Sequence, residues 1–146
     1  MNVVIREKSC GAVIFVKKED QTKYLLLNYA ARHWDFVKGN VEQNETEKET
    51  TLRELKEETG INNAVFVDGF KETIAYFYRR QGLTVHKEVV FFIMESHTEE
   101  VTLSFEHVGY VWMDYQHAME KLNFRNAKDV LQKAHDFLKK QGIVKD

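Results

Sequence analysis

Residues 39–61 read GNVEQNETEKETTLRELKEETGI, and this stretch decides how the rest of the chain is read. Its spacing predicts a helix over Glu45 to Thr59, with Asn44 as N-cap, Glu47 as its capping-box partner and Gly60 as the residue that ends it. Leu52 and Leu55 are the expected buried stripe. Glu54, Glu57 and Glu58 stand at i, i+3 and i+4, which puts three carboxylates on one face of one turn. Like charges this close repel, and a hard divalent cation reverses the sign of that interaction. A cluster of oxygen ligands suits Mg²⁺ or Mn²⁺ rather than zinc. Arg53 lies four residues after Glu49 and four before Glu57, so it can neutralise part of the cluster and hold carboxylate rotamers. Glu45 sits where a negative charge favours the helix dipole, and the preceding loop can bring it back to Arg53. Gly39 lets the backbone come close to a metal or a phosphate. The triplet alone reads more readily as a solvated, charge-paired helix than as a metal site.

Outward from this helix, Ser9 to Val16 and Tyr24 to Tyr29 read as strands, joined as a hairpin with its turn near Gln21 and Thr22. His33 to Asn40 is a loop or short extended segment. Ala64 to Phe70 and Thr73 to Tyr78 are further strands, and the apolar run within Val85 to Met94 suits a strand buried on both faces. Gly109 to Met113 is a short strand, Tyr115 to Leu122 a short helix, and Ala127 to Lys140 an amphipathic helix burying Val130, Leu131, Ala134, Phe137 and Leu138. This order predicts an α/β (α+β) fold, a mixed β-sheet sandwiched between helices.

The 146 residues suit a single domain, 1–146, with one core. A formal net charge of −2 offers no basic field for nucleic acid or an anionic membrane, so local cations or metal ions must hold any anionic substrate. The single cysteine, Cys10, excludes an intrachain disulfide and reads as a small buried residue. The start of the chain does not read as a signal peptide, and no apolar stretch approaches the ~20 residues that span a bilayer, so the cytoplasm is the expected location. A monomer is slightly favoured. With no proline, glycine and asparagine must punctuate the loops.

Gly39, Glu45, Arg53, Glu54, Leu55, Glu57, Glu58, Gly60 and Ile61 fill all nine defined positions of a pattern that resembles the Nudix box. Chance agreement at one register is on the order of one in a billion at average residue frequencies. The resemblance implies an α/β/α sandwich, hydrolysis of a nucleoside diphosphate linked to another moiety, and metal ligation by Glu54, Glu57 and Glu58 with help from the Gly39 carbonyl.

A second, ordered set of residues lies mostly outside the box: His33-Trp34 before Lys38, Tyr76, Leu103 to His107 ahead of Trp112, Phe124, and His135 to Leu138. From about Cys10 to Leu138 it is similar to the asymmetrically cleaving diadenosine tetraphosphate hydrolases of animal and archaeal type. That resemblance implies Tyr76 and Phe124 as aromatic walls for adenine, His33 and Lys38 as contacts to the phosphate chain, and Glu106 as a metal ligand or general base. For the base that accepts the water's proton, Glu57 or Glu58 is expected in preference to Glu106. Two positions depart from the pattern: Val37 stands for the usual proline and Asn40 for the frequent histidine. Taken singly, Tyr76 is an ordinary strand aromatic, Phe124 a core residue, His33 a surface histidine and Glu106 a solvated loop residue. Trp34 and Trp112 read as packing residues. Arg79, Arg80 and Lys87 either line a phosphate path or are solvated hairpin charges. His107, His117 and His135 show no metal-ligand spacing. The alternatives are a Nudix enzyme for damaged nucleoside triphosphates, ADP-ribose or capped RNA, and a domain that binds nucleotides without hydrolysing them.

Overall fold

The computed structural model describes residues 3–30 and 32–145. Its order is β1 (Val4–Lys18), β2 (Gln21–Tyr29), β3 (His33–Asp35), β4 (Val37–Asn40), α1 (Glu47–Thr59), β5 (Val65–Phe66), β6 (Glu72–Arg80), β7 (Leu83–Glu95), β8 (His107–Met113), α2 (Tyr115–Lys121) and α3 (Arg125–Lys140). β1 is the organising strand. It runs parallel to β7 from Val4↔Thr84 to Phe15↔Glu95. It also pairs antiparallel with β2 through Phe15↔Tyr24 and with β4 through Cys10↔Gly39. β8 and β3 extend the sheet from β2, while β6 and β5 extend it from β7.

Alternate residues of these strands enter two separate cores. Val13, Phe15, Leu26, Phe91 and Ile93 face one cluster with Ala118 of α2 and with Val130, Leu131 and Leu138 of α3. Ala12, Ile14, Leu25, Leu27, Val90, Phe92 and Met94 face the other, with Leu55 of α1 and Ile61. The unbroken apolar runs in the sequence follow from this: both faces of the central strands are covered, so the period-2 alternation disappears. The mixed sheet between helical layers is as expected. Cys10 is fully buried, and burial pushes its thiol up to about 11.

Four local expectations are corrected. The carboxylate helix begins at Glu47, not Glu45, and its N-cap is Thr46. Thr46 Oγ1 accepts from the Glu49 N–H at 3.1 Å, and Glu49 Oε1 accepts from the Thr46 N–H at 2.8 Å. Asn44 cannot cap because its φ of 68° sets it in the turn before the helix. Leu52 is 45% exposed, and the buried residues of α1 are Thr50, Thr51, Leu55, Glu58 and Thr59. Only Val65–Phe66 of the stretch from Ala64 to Phe70 pairs as a strand. The first hairpin turns at Glu19 and Asp20, leaving Gln21 and Thr22 within β2.

Thr46→Ala removes the hydroxyl that accepts from the Glu49 N–H, while the backbone N–H of residue 46 can still donate to Glu49. It is expected to cost about 1 kcal/mol of stability, whereas Asn44→Gly changes it by a few tenths at most. Urea denaturation of the two variants checks the assignment.

Candidate active site

Arg53 organises the acidic cluster. Its guanidinium donates to Glu45 Oε2 at 2.6 Å and Oε1 at 3.0 Å, to Glu54 at 2.8 Å, to Glu57 at 3.1 Å and to the Asn40 carbonyl at 2.9 Å. The expected reach of Glu45 back to Arg53 is present. Glu49, four residues before Arg53, is instead committed to the helix cap. The hydrogen bond from Arg53 holds the Glu45 carboxyl down at about 2, and the same bond raises the guanidinium pKa.

Glu58 lies on the inner side of α1 and is 5% exposed. Its Oε1 accepts the Lys38 backbone N–H at 3.3 Å. Burial first, then the charges of Glu54 and Glu106, push its carboxyl up to about 9. Burial also raises Glu54, against the pull of Arg53. Gly39 makes this proximity feasible: a Cβ there would lie 2.0 Å from the Glu54 carboxyl carbon. Glu106 sits on the exposed turn before β8. Glu58, Asp35, Glu54 and Glu106 are all near enough to act on the Tyr29 hydroxyl, which burial above all holds well above its ordinary value.

This donor set suits a hard divalent cation. Two neighbouring, buried carboxylates are strongly disfavoured as anions unless a positive charge joins them. Among the described residues no three acidic, histidine or cysteine side chains are gathered around one point. Arg53 draws Glu54 and Glu57 to itself, and Glu57 remains largely exposed.

Beside the cluster lies a cavity of ≈ 450 Å³ whose lining includes His33, Lys38, Ile74, Tyr76, Phe91 and Phe124. All four residues expected to contact substrate therefore meet in one place. Phe124 is 49% exposed, so it is not a core residue, and its ring stands edge-on to His33 at 5.1 Å. Lys38 joins the two halves of the site: its N–H touches Glu58 and its side chain lines the cavity.

Sequence reading missed Asp35, Tyr29 and His107. Asp35 is 5% exposed and holds the Lys38 ammonium at 3.1 Å. The only signal for it was an acid inside an otherwise apolar stretch. Tyr29 stacks on His33 at 5.2 Å and meets His107 edge-on at 4.6 Å. The two tryptophans do pack: Trp34 lies under Lys121, and Trp112 donates to the Glu99 carbonyl. Arg79 bonds within its own hairpin and Arg80 pairs with Glu7, so neither lines the cavity. Lys87 donates to Asn40 Oδ1 at 2.8 Å, so the residue that replaces the frequent histidine holds a lysine. Burial, with repulsion from Lys38, keeps that lysine below its ordinary value.

The NUDIX domain family profile matches residues 4–134. This chain belongs to the NUDIX family. It is 33% identical to the mouse asymmetrical bis(5'-nucleosyl)-tetraphosphatase, an alignment covering 90% of this chain and 95% of the relative. The structure of a C. elegans Ap4A hydrolase binary complex superposes with a TM-score of 0.80 at 28% identity, covering 90% of this chain and 97% of the other. The E. coli dihydroneopterin triphosphate pyrophosphohydrolase shares the fold, with a TM-score of 0.71 at 20% identity over 88% of this chain and 96% of that one.

Two measurements probe the cluster. Gly39→Ala displaces Glu54 and is expected to weaken divalent-ion binding by about tenfold or more, measured calorimetrically. An unchanged affinity would remove Glu54 from the ion site. Burial pushes the Glu58 carboxyl up to about 9, so an ion held by Glu58 would displace a proton from it. Apparent affinity should therefore rise with pH, by up to about tenfold per unit between roughly pH 6 and 8. A flat profile contradicts this.

Proposed function

We propose that this Nudix domain hydrolyses dinucleoside polyphosphates, cutting diadenosine tetraphosphate to ATP and AMP. The observation that carries the reading is the continuity through Lys38 between the buried Glu58 and a cavity lined by Tyr76, Phe124, His33 and Lys38. The tetraphosphatase relatives support the same substrate class.

In this reading Glu54, Glu57, Glu58 and the Gly39 carbonyl, with Glu106 from the opposing turn, hold Mg²⁺ or Mn²⁺. Such an ion neutralises polyphosphate charge and acidifies a water. Tyr76 and Phe124 clasp one adenine, which fixes the phosphorus that faces the carboxylates. Lys38, oriented by Asp35, and His33 stabilise charge on the phosphate chain. A water oxygen attacks phosphorus in line, a P–O bond breaks, and Glu57 or Glu58 takes the water's proton in preference to the exposed Glu106. Arg53 touches no substrate in this scheme. It sets the carboxylate rotamers. No helix among the described residues is long and apolar enough to cross a membrane, and a cytoplasmic location, away from nucleic acid and membranes, is part of the reading.

Product analysis in ¹⁸O-labelled water tests it. Diadenosine tetraphosphate should give ATP and AMP in equal amounts, with the label on one of them. A panel of damaged nucleoside triphosphates, ADP-ribose and capped RNA should be cleaved more slowly; a better substrate in that panel replaces the proposal. Glu58→Gln should lower kcat by about 10³-fold or more with the melting temperature preserved. Tyr76→Ala should raise KM by about tenfold with little change in kcat, and an unchanged KM takes Tyr76 out of the adenine site.

A further inference from the structure

His107 is the first residue of β8, and its side chain is 1% exposed. Its Nδ1 lies 3.0 Å from Ser104 Oγ. Its Nε2 is buried without a hydrogen-bond partner, and it faces Glu58 Oε2 at 3.8 Å. Buried polar atoms are nearly always satisfied, so an orphan aimed at a carboxylate of the site calls for a role.

The backbone brings this ring to Glu58. The Thr102 N–H donates to the Thr59 carbonyl at 2.8 Å, and the Ser104 N–H to the Glu58 carbonyl at 3.4 Å. The segment before β8 is thus strapped to the last turn of α1, the turn that carries Glu57 and Glu58. Tyr29 closes the other side of the ring edge-on, and its own hydroxyl is committed to the Phe36 carbonyl at 2.7 Å. The ring is therefore held in place with Nε2 directed at Glu58.

We propose that His107 is the positioning residue of Glu58. The Ser104 hydroxyl donates to Nδ1, which leaves the ring hydrogen on Nε2, and Nε2–H donates to Glu58 Oε2 once that carboxylate turns to meet a divalent cation. The gap is roughly an ångström longer than a hydrogen bond, within reach of a rotation of the Glu58 carboxylate. A ligand carboxylate fixed from behind keeps its other oxygen aimed at the ion. The inference rests on the ion-binding reading of the box.

The test is Mn²⁺ titration without nucleotide, followed by the electron paramagnetic resonance of the free ion, with thermal melting alongside. His107→Phe keeps an aromatic ring against Tyr29 but has no donor, and should weaken Mn²⁺ binding by about tenfold or more. His107→Gln offers an N–H to Glu58 and should stay within about threefold of the native protein, with Ser104→Ala falling between the two. Native affinity in His107→Phe, or equal losses in His107→Phe and His107→Gln at unchanged melting temperature, overturns the proposal. If the His107 variants do not fold, Ser104→Ala decides, and native affinity there overturns it. If the native protein binds no Mn²⁺, the ion site itself fails and this role falls with it. If only the variants behave against expectation, the ion site stands and His107 alone loses its role.

Discussion

Arg53 is the interaction on which the site depends. A guanidinium carries five N–H groups in a fixed planar fork, and this one spends them on Glu45, Glu54, Glu57 and the Asn40 carbonyl. Carboxylates crowded on one helical turn would otherwise repel each other. Arg53 supplies the compensating charge, and it also ties the loop after β4 to the middle of α1. Lysine could not do the same, because it offers a single point of charge rather than a planar fork.

Glu58 is the carboxylate that Arg53 does not hold. It points inward, against Lys38 and His107, and burial raises its carboxyl to about 9. The cluster is thus split into an outer part paired with arginine and an inner carboxyl whose burial favours its protonated form. In the proposed reading a divalent cation and that proton would compete for the inner face of α1.

The cavity beside the cluster is built from other elements. Lys38 and Asp35 come from the short β4 and β3, Ile74 and Tyr76 from β6, and Phe124 from the start of α3. A run of ring contacts, Phe124 on His33, His33 on Tyr29 and Tyr29 on His107, leads from the cavity back to the carboxylates. The cavity and the carboxylate face of α1 are therefore braced by the same side chains, so repacking Tyr29 would disturb both.

Much of this was legible in the sequence because it is local. The spacing of Gly39, Arg53, Glu54, Glu57 and Glu58 fixes which side chains share a helical face, and helical periodicity needs no tertiary contact to be read. The apolar run of β7 likewise announced a strand covered on both sides. What the tertiary structure decided concerns groups whose partners lie far along the chain. Asn44 had the right chemistry for a cap, but the turn set it at a positive φ and gave the role to Thr46. Leu52 obeyed the helical period, yet no layer covers its face. Asp35 holding Lys38, Asn40 holding Lys87 and His107 facing Glu58 all depend on strand register and on the strap between Thr102 and Thr59. A sequence states which residues can ionise or donate. Only the packed sheet decides which of them lose water and meet.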